Sequence, residues 1–145
     1  MNTASHAVKE FFEQYELSRN TLDLGLIASQ YPDSFMWADP NGARVVEKHV
    51  VLASLPRGQE FLKALGHKFT KVLSLDETWL DDHYVLVRVK FLWGFEKASE
   101  QPIDVKLDGT FILYINNGSP KIIFQHERED FQQALRARGV LPATQ

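Results

Sequence analysis

Near the N-terminus the apolar residues recur at helical spacing. Val8, Phe11, Phe12 and Tyr15 fall at i, i+3, i+4 and i+7 behind Ser5 as an N-cap, which puts three aromatics on one helical face. Leu24, Ile27, Ala28 and Tyr31 repeat the spacing, with Asn20 and Thr21 as the cap and Pro32 as the stop, so the pattern predicts a helical hairpin. Phe35 and Trp37 then alternate with polar neighbours as a short strand, and Asp39-Pro40-Asn41-Gly42 turns the chain back. Residues 44–51 read as a second short strand, and residues 59–65 as a third helix closed by Gly66.

Beyond Gly66 the period changes to two. Phe69, Leu73, Leu75 and Trp79 form one run, and Val85, Val87, Val89, Phe91, Trp93 and Phe95 the next, with Asp81-Asp82-His83 as the turn between long antiparallel strands. Residues 97–101 form a polar loop, residues 102–115 a third long strand, Asn116-Asn117-Gly118 a hairpin turn and residues 121–128 a fourth strand, giving a meander. Asp130 caps a tail helix carrying Phe131, Ala134 and Leu135 and ended by Gly139. The sum is one α+β domain over residues 1–145, a curved antiparallel sheet with the N-terminal helices packed on its concave face. The third long strand puts Ile103, Val105, Leu107, Phe111, Leu113 and Ile115 on one face but Ile112 and Tyr114 on the other. Helices cover one face only. The second is expected to pair with its copy in a homodimer, the alternative being cover by the tail helix and loops.

Composition narrows the function classes. The 145 residues are 44% hydrophobic, with ten Phe, three Trp and four Tyr, enough for one core and for the walls of a cavity. With no cysteine there is no disulfide framework, thiol nucleophile or thiolate ligand. No apolar run has the length of a membrane span, and the N-terminal residues lack the pattern of a signal peptide, so the expected location is the cytoplasm, with no membrane partner. A net charge of −3 with scattered Lys and Arg excludes nucleic acid as a partner. His6, His49, His67 and His83 stand singly, with no metal-binding spacing, and Gly42 and Gly58 belong to no phosphate-binding loop. Neither metal nor cofactor is expected.

Candidate chemistry sits in residues 31–42, YPDSFMWADPNG, together with Tyr15. Two helices delivering the chain to a strand that ends in a carboxylate resemble the entry to the NTF2-like fold. This cone-shaped α+β family includes ketosteroid isomerase, the SnoaL-like polyketide cyclases and many domains without an assigned activity. The resemblance to ketosteroid isomerase is gapless over residues 15–42. It implies Asp39 as general base and Tyr15 as the hydroxyl that stabilises an enolate. Removing a proton alpha to a carbonyl needs a carboxylate at the carbon and a donor at the oxygen where charge develops. Where that family keeps a protonated acid as second donor, this chain has Thr110, with Asp108 on the same strand face. The implied pocket is bounded by Tyr15, Tyr31, Trp37, Asp39, Thr110 and Tyr114, with Asp108 and His126 as further candidates. The implied function is binding of a small apolar or carbonyl-bearing ligand with isomerase- or cyclase-type proton transfer. The alternative is a non-catalytic ligand-binding or protein-association module. Read by themselves, Asp-Pro-Asn-Gly is also an ordinary type I turn and Tyr15 also a core residue. His126 faces the cavity or pairs with Glu127 or Glu129 at the surface.

Overall fold

The computed structural model describes residues 5–98, 100–117 and 119–142. Helix α1 (His6–Thr21) buries Val8, Phe11, Phe12 and Tyr15 as its spacing requires. Ser5 occupies the N-cap, but its hydroxyl bonds across to Glu77 Oε2 at 3.1 Å instead of to its own helix. Because α1 runs on through Asn20 and Thr21, neither caps the next helix. Asp23 caps α2 (Leu24–Ser29), accepting from Leu26 N at 3.1 Å. Asn20 instead clamps strand β3 (His67–Trp79), donating to Thr70 O and accepting from Thr70 N, both at 2.8 Å.

The hairpin of β1 (Ser34–Asp39) and β2 (Gly42–Glu47) follows. The strand expected over residues 44–51 stops at Glu47, and α3 (Lys48–Ala64) takes over, much longer than the expected 59–65. Two adjacent β-branched residues, Val50 and Val51, and Pro56 within the helix mask its period. The stripe is Val51, Leu52, Leu55 and Leu62, packed against the core. The long strands are β3, β4 (Tyr84–Phe95), β5 (Ile103–Tyr114) and β6 (Lys121–Glu127), and α4 (Phe131–Ala137) is the last element, under an Asp130 cap. The turn expected at residues 116–118 includes Gly118, which lies outside the described residues.

The six strands form one sheet in the order β2-β1-β6-β5-β4-β3. The expected meander accounts for β3 to β6, but β1 joins it through a parallel ladder with β6, pairing Met36 with Phe124 and Trp37 with Gln125. Register shifts in β3 and between β5 and β6 bend the sheet around the helices. Val85, Val87, Val89, Phe111 and Leu113 are buried on the concave face, where Phe12 meets Phe111 edge-on at 5.2 Å. Ile112 and Tyr114 lie half-buried on the opposite face, as their alternation requires. A second cluster of Phe95, Val105, Leu135 and Val140 docks α4, with Phe131 against Trp93 at 4.9 Å.

Gly66 joins α3 to β3 with φ of +94°, and its carbonyl accepts from Glu96 N at 2.7 Å. A Cβ there would stand 2.7 Å from the Glu96 carbonyl oxygen, a backbone atom that cannot swing away. Gly66→Ala is therefore expected to destabilise the protein by about 1–3 kcal/mol, read as a lower urea midpoint at unchanged slope.

Candidate functional site

Most of the space between helices and sheet is filled by rings: Tyr15 packs against Phe91 at 5.8 Å and Phe111 at 5.6 Å. What remains is a cavity of about 60 Å³, walled by Tyr15, Phe91, Phe111, Gln125, Glu127 and Phe131. Gly109 helps to keep it open. It pairs with Glu127 across the β5–β6 ladder, and a Cβ added there would reach 3.3 Å from both the Phe91 and Phe111 rings.

Tyr15 thus lines the cavity, whereas Asp39 stands outside its lining. The Asp39 side chain is only 13% exposed. It accepts from Asn41 N at 2.8 Å, as the first residue of a turn does, and lies 3.7 Å from Arg44 Nη2. Its other neighbour is Glu127, brought alongside because the parallel ladder carries Ala38 to His126 one residue earlier. Burial is the largest cause lifting the Glu127 carboxyl, to about 7, with the carboxylates of Asp39 and Asp130 adding to it and Arg44 working against it. Glu127 is the group that sequence reading passed over, treated there only as a neighbour of His126. The alternation of Gln125 and Glu127 on β6 was its one signal, and the parallel pairing that gives it a carboxylate neighbour is not visible locally.

Four expected pocket residues point elsewhere. Since Gly109 and Glu127 belong to the concave face, alternation turns the side chains of Asp108, Thr110 and His126 to the other side; Asp108 and His126 still border the cavity, and Thr110 does not. Thr110 is paired there with His126 and Arg88, while Asp108 is flanked by Arg128 at 3.4 Å and Lys90 at 4.0 Å. Tyr114 packs on Tyr84 at 5.0 Å on that same convex side. Together with Ser74, the polar residues Asp108, Thr110, His126 and Arg128 line a convex-face groove of about 380 Å³. The convex placement follows from register: Thr110 lies one residue from Phe111, and one step along a strand reverses the face.

Trp37 and Tyr31 do lie on the helix side. Trp37 packs against the core, its buried indole N–H without an acceptor among the described residues. Tyr31, 4% exposed, belongs to a polar network tied to Arg19. Arg19 lies 3.9 Å above the Tyr15 ring centroid and donates to Gln30 Oε1 at 2.9 Å, Ser18 Oγ at 3.0 Å and Tyr31 Oη at 3.0 Å. Tyr31 in turn donates to Gln125 Oε1 at 2.8 Å. Burial foremost raises the Tyr31 hydroxyl above the usual phenol range, so it is a neutral donor at pH 7. Among the described residues no group of His, Asp and Glu is arranged to hold a metal ion. Among them, too, no helix is long and apolar enough to cross a membrane.

By sequence, no protein-family model and no curated protein matches the chain. Solved structures match closely in shape. An NTF-2 like protein of unknown function from Shewanella oneidensis is similar over 85% of this chain and 97% of its own, at a TM-score of 0.66 and 13% identity. Aln2 from a Streptomyces species is similar over 94% of this chain and 100% of its own, at 0.71 and 14%. A hexachlorocyclohexane dehydrochlorinase, LinA-type3 from Novosphingobium barchaimii, is similar over 84% of this chain and 83% of its own, at 0.64 and 14%. With its curved six-stranded sheet wrapped on N-terminal helices, the chain has the NTF2-like fold.

Proposed function

We propose that the cone is a small-molecule site in which a carboxylate at the cavity wall moves a proton on a carbonyl-bearing ligand. The observation that carries this reading is Glu127: a carboxyl on the wall of the cavity, held near neutrality, exchanges its proton readily at working pH. Tyr15, on the same wall, supplies the hydroxyl. Asp39 acts chiefly through Glu127, as the negative neighbour that keeps its proton on, since its own oxygens serve Asn41 and Arg44. A protein named as a dehydrochlorinase shares the fold, in keeping with a cone that hosts such chemistry. The cavity has room only for water-sized guests, so a larger ligand enters by moving Phe131 of α4.

A second reading rests on the convex face. Leu86, Ile112, Tyr114 and Phe124 are half-buried there, and none belongs to either core cluster. A second copy is the occupant this surface suits, giving the homodimer. The buried positions Phe111 and Leu113 belong to the core and take no part in it.

Exchange in heavy water tests the first reading without a known substrate. The protein is expected to speed deuterium uptake alpha to the carbonyl of cyclopentanone, followed by proton NMR, and Glu127→Gln should reduce the effect at least ~10-fold. No acceleration over buffer would remove the proton-transfer role. Stability supplies an independent check. A carboxyl lifted from 4.5 to about 7 in the folded state binds an extra proton between those values, so the fold loses stability as pH rises through that window and levels off above it. The loss should be about 3 kcal/mol, and Glu127→Gln should flatten it and exceed the wild type in urea midpoint at about pH 8. For the second reading, Ile112→Lys should shift the sedimentation profile towards monomer at tens of micromolar, and a wild-type monomer there would rule the dimer out.

A further inference from the structure

Arg19 fixes the direction of the hydrogen bonds around it, because guanidinium N–H groups only donate. Tyr31 Oη accepts from Arg19 Nη2 at 3.0 Å, so its own proton goes on to Gln125 Oε1, 2.8 Å away. That bond occupies the amide oxygen and leaves the Nε2 end of Gln125 as a donor. Gln125 is 5% exposed and lines the cavity. Among the described residues no acceptor takes its Nε2–H. Nor does any described carboxylate lie within ion-pair distance of Arg19, so the relay starts from a positive charge that nothing nearby cancels.

We propose that Gln125 is the donor that receives a ligand oxygen in the cone, held in that orientation by Arg19 through Tyr31, and that the ligand presents a carbonyl or oxyanion oxygen there. The inference rests on the cone being a small-molecule site and names the group it recognises. Gln125 and Glu127 are next neighbours on one face of β6, about 7 Å apart. That span suits an oxygen-carbon-carbon fragment, its oxygen hydrogen-bonded to Gln125 and its adjacent C–H turned to Glu127. A hydrocarbon leaves the Gln125 donor unpaired, and an ammonium group meets a donor backed by a cation. Arg19 and Tyr31 do not line the cavity. They are positioning residues.

The side-chain amide of Gln125 reports on this directly in nitrogen-15 spectra of the full chain, assigned with Gln125→Met. Addition of cyclopentanone should shift the Gln125 Nε2–H signals downfield, and cyclopentane should not. Tyr31→Phe, which touches no ligand, should weaken cyclopentanone about 2- to 12-fold, the range of one net hydrogen bond, and leave cyclopentane unchanged. Cyclopentanone bound at the Phe91 and Phe111 rings with the Gln125 amide unmoved would overturn this inference alone. No binding of cyclopentanone at all would overturn the small-molecule reading and this inference with it. Equal weakening of both probes by Tyr31→Phe would remove the relay. Should Tyr31→Phe fail to fold, the wild-type spectra decide.

Discussion

A guanidinium drawn out of water without a carboxylate beside it must be solvated by dipoles, and Arg19 sets the terms for much of the cone on that account. Its acceptors come from α1 (Ser18), from the end of α2 (Gln30) and from the residue that leads towards β1 (Tyr31). The ring of Tyr15 covers one face of the cation. Each acceptor is neutral, so the charge is spread and not cancelled. The three acceptors of Arg19 tie the two helices and the lead into β1 together, and Tyr31 passes that constraint to β6 through Gln125. The position of Tyr15 against Phe91 and Phe111 follows from the same constraint.

How much of this was legible in the sequence depended on the distance over which each feature is encoded. The period-two runs gave β3 to β6 because alternation is a property of each strand alone, and the face carrying Ile112 and Tyr114 came with it. The aromatic stripe of α1 was equally local. Helix α3 was missed in its first half because Val50 and Val51 favour strand by themselves, and their helical state comes from packing Val51, Leu52 and Leu55 on the core. Of the cavity's walls, Tyr15 is legible in the sequence and Glu127 is not. The first sits on a recognisable helical face, while the second acquires its character from burial and from Asp39, its neighbour only in the folded sheet. Counting along the chain puts Thr110 and Asp108 at the pocket, and one residue of register puts them on the convex face.

The cone is nearly full, and its polar groups are correspondingly concentrated. Phe91 and Phe111 wall the same small volume that Tyr15, Gln125 and Glu127 line. Low polarity raises the cost of every unpaired group there, which strengthens hydrogen bonds that form and lifts the carboxyl that is left exposed to it. Packing and the raised pKa of Glu127 thus share one cause in this interior.

The parallel ladder between β1 and β6 has a kinetic side. Tyr31 and Gln125 are 94 positions apart in the chain. Closing so long a loop is entropically slow, and a ribosome delivers β6 only after all the other strands. Until β6 is seated, Arg19 lacks the continuation of its relay, Asp39 lacks Glu127 beside it, and the aromatic interior stands open along one edge. The polar groups of the cone thus assemble in the final closure of the sheet, and a chain cut short before β6 has neither a closed edge nor the cavity wall that Gln125 and Glu127 supply.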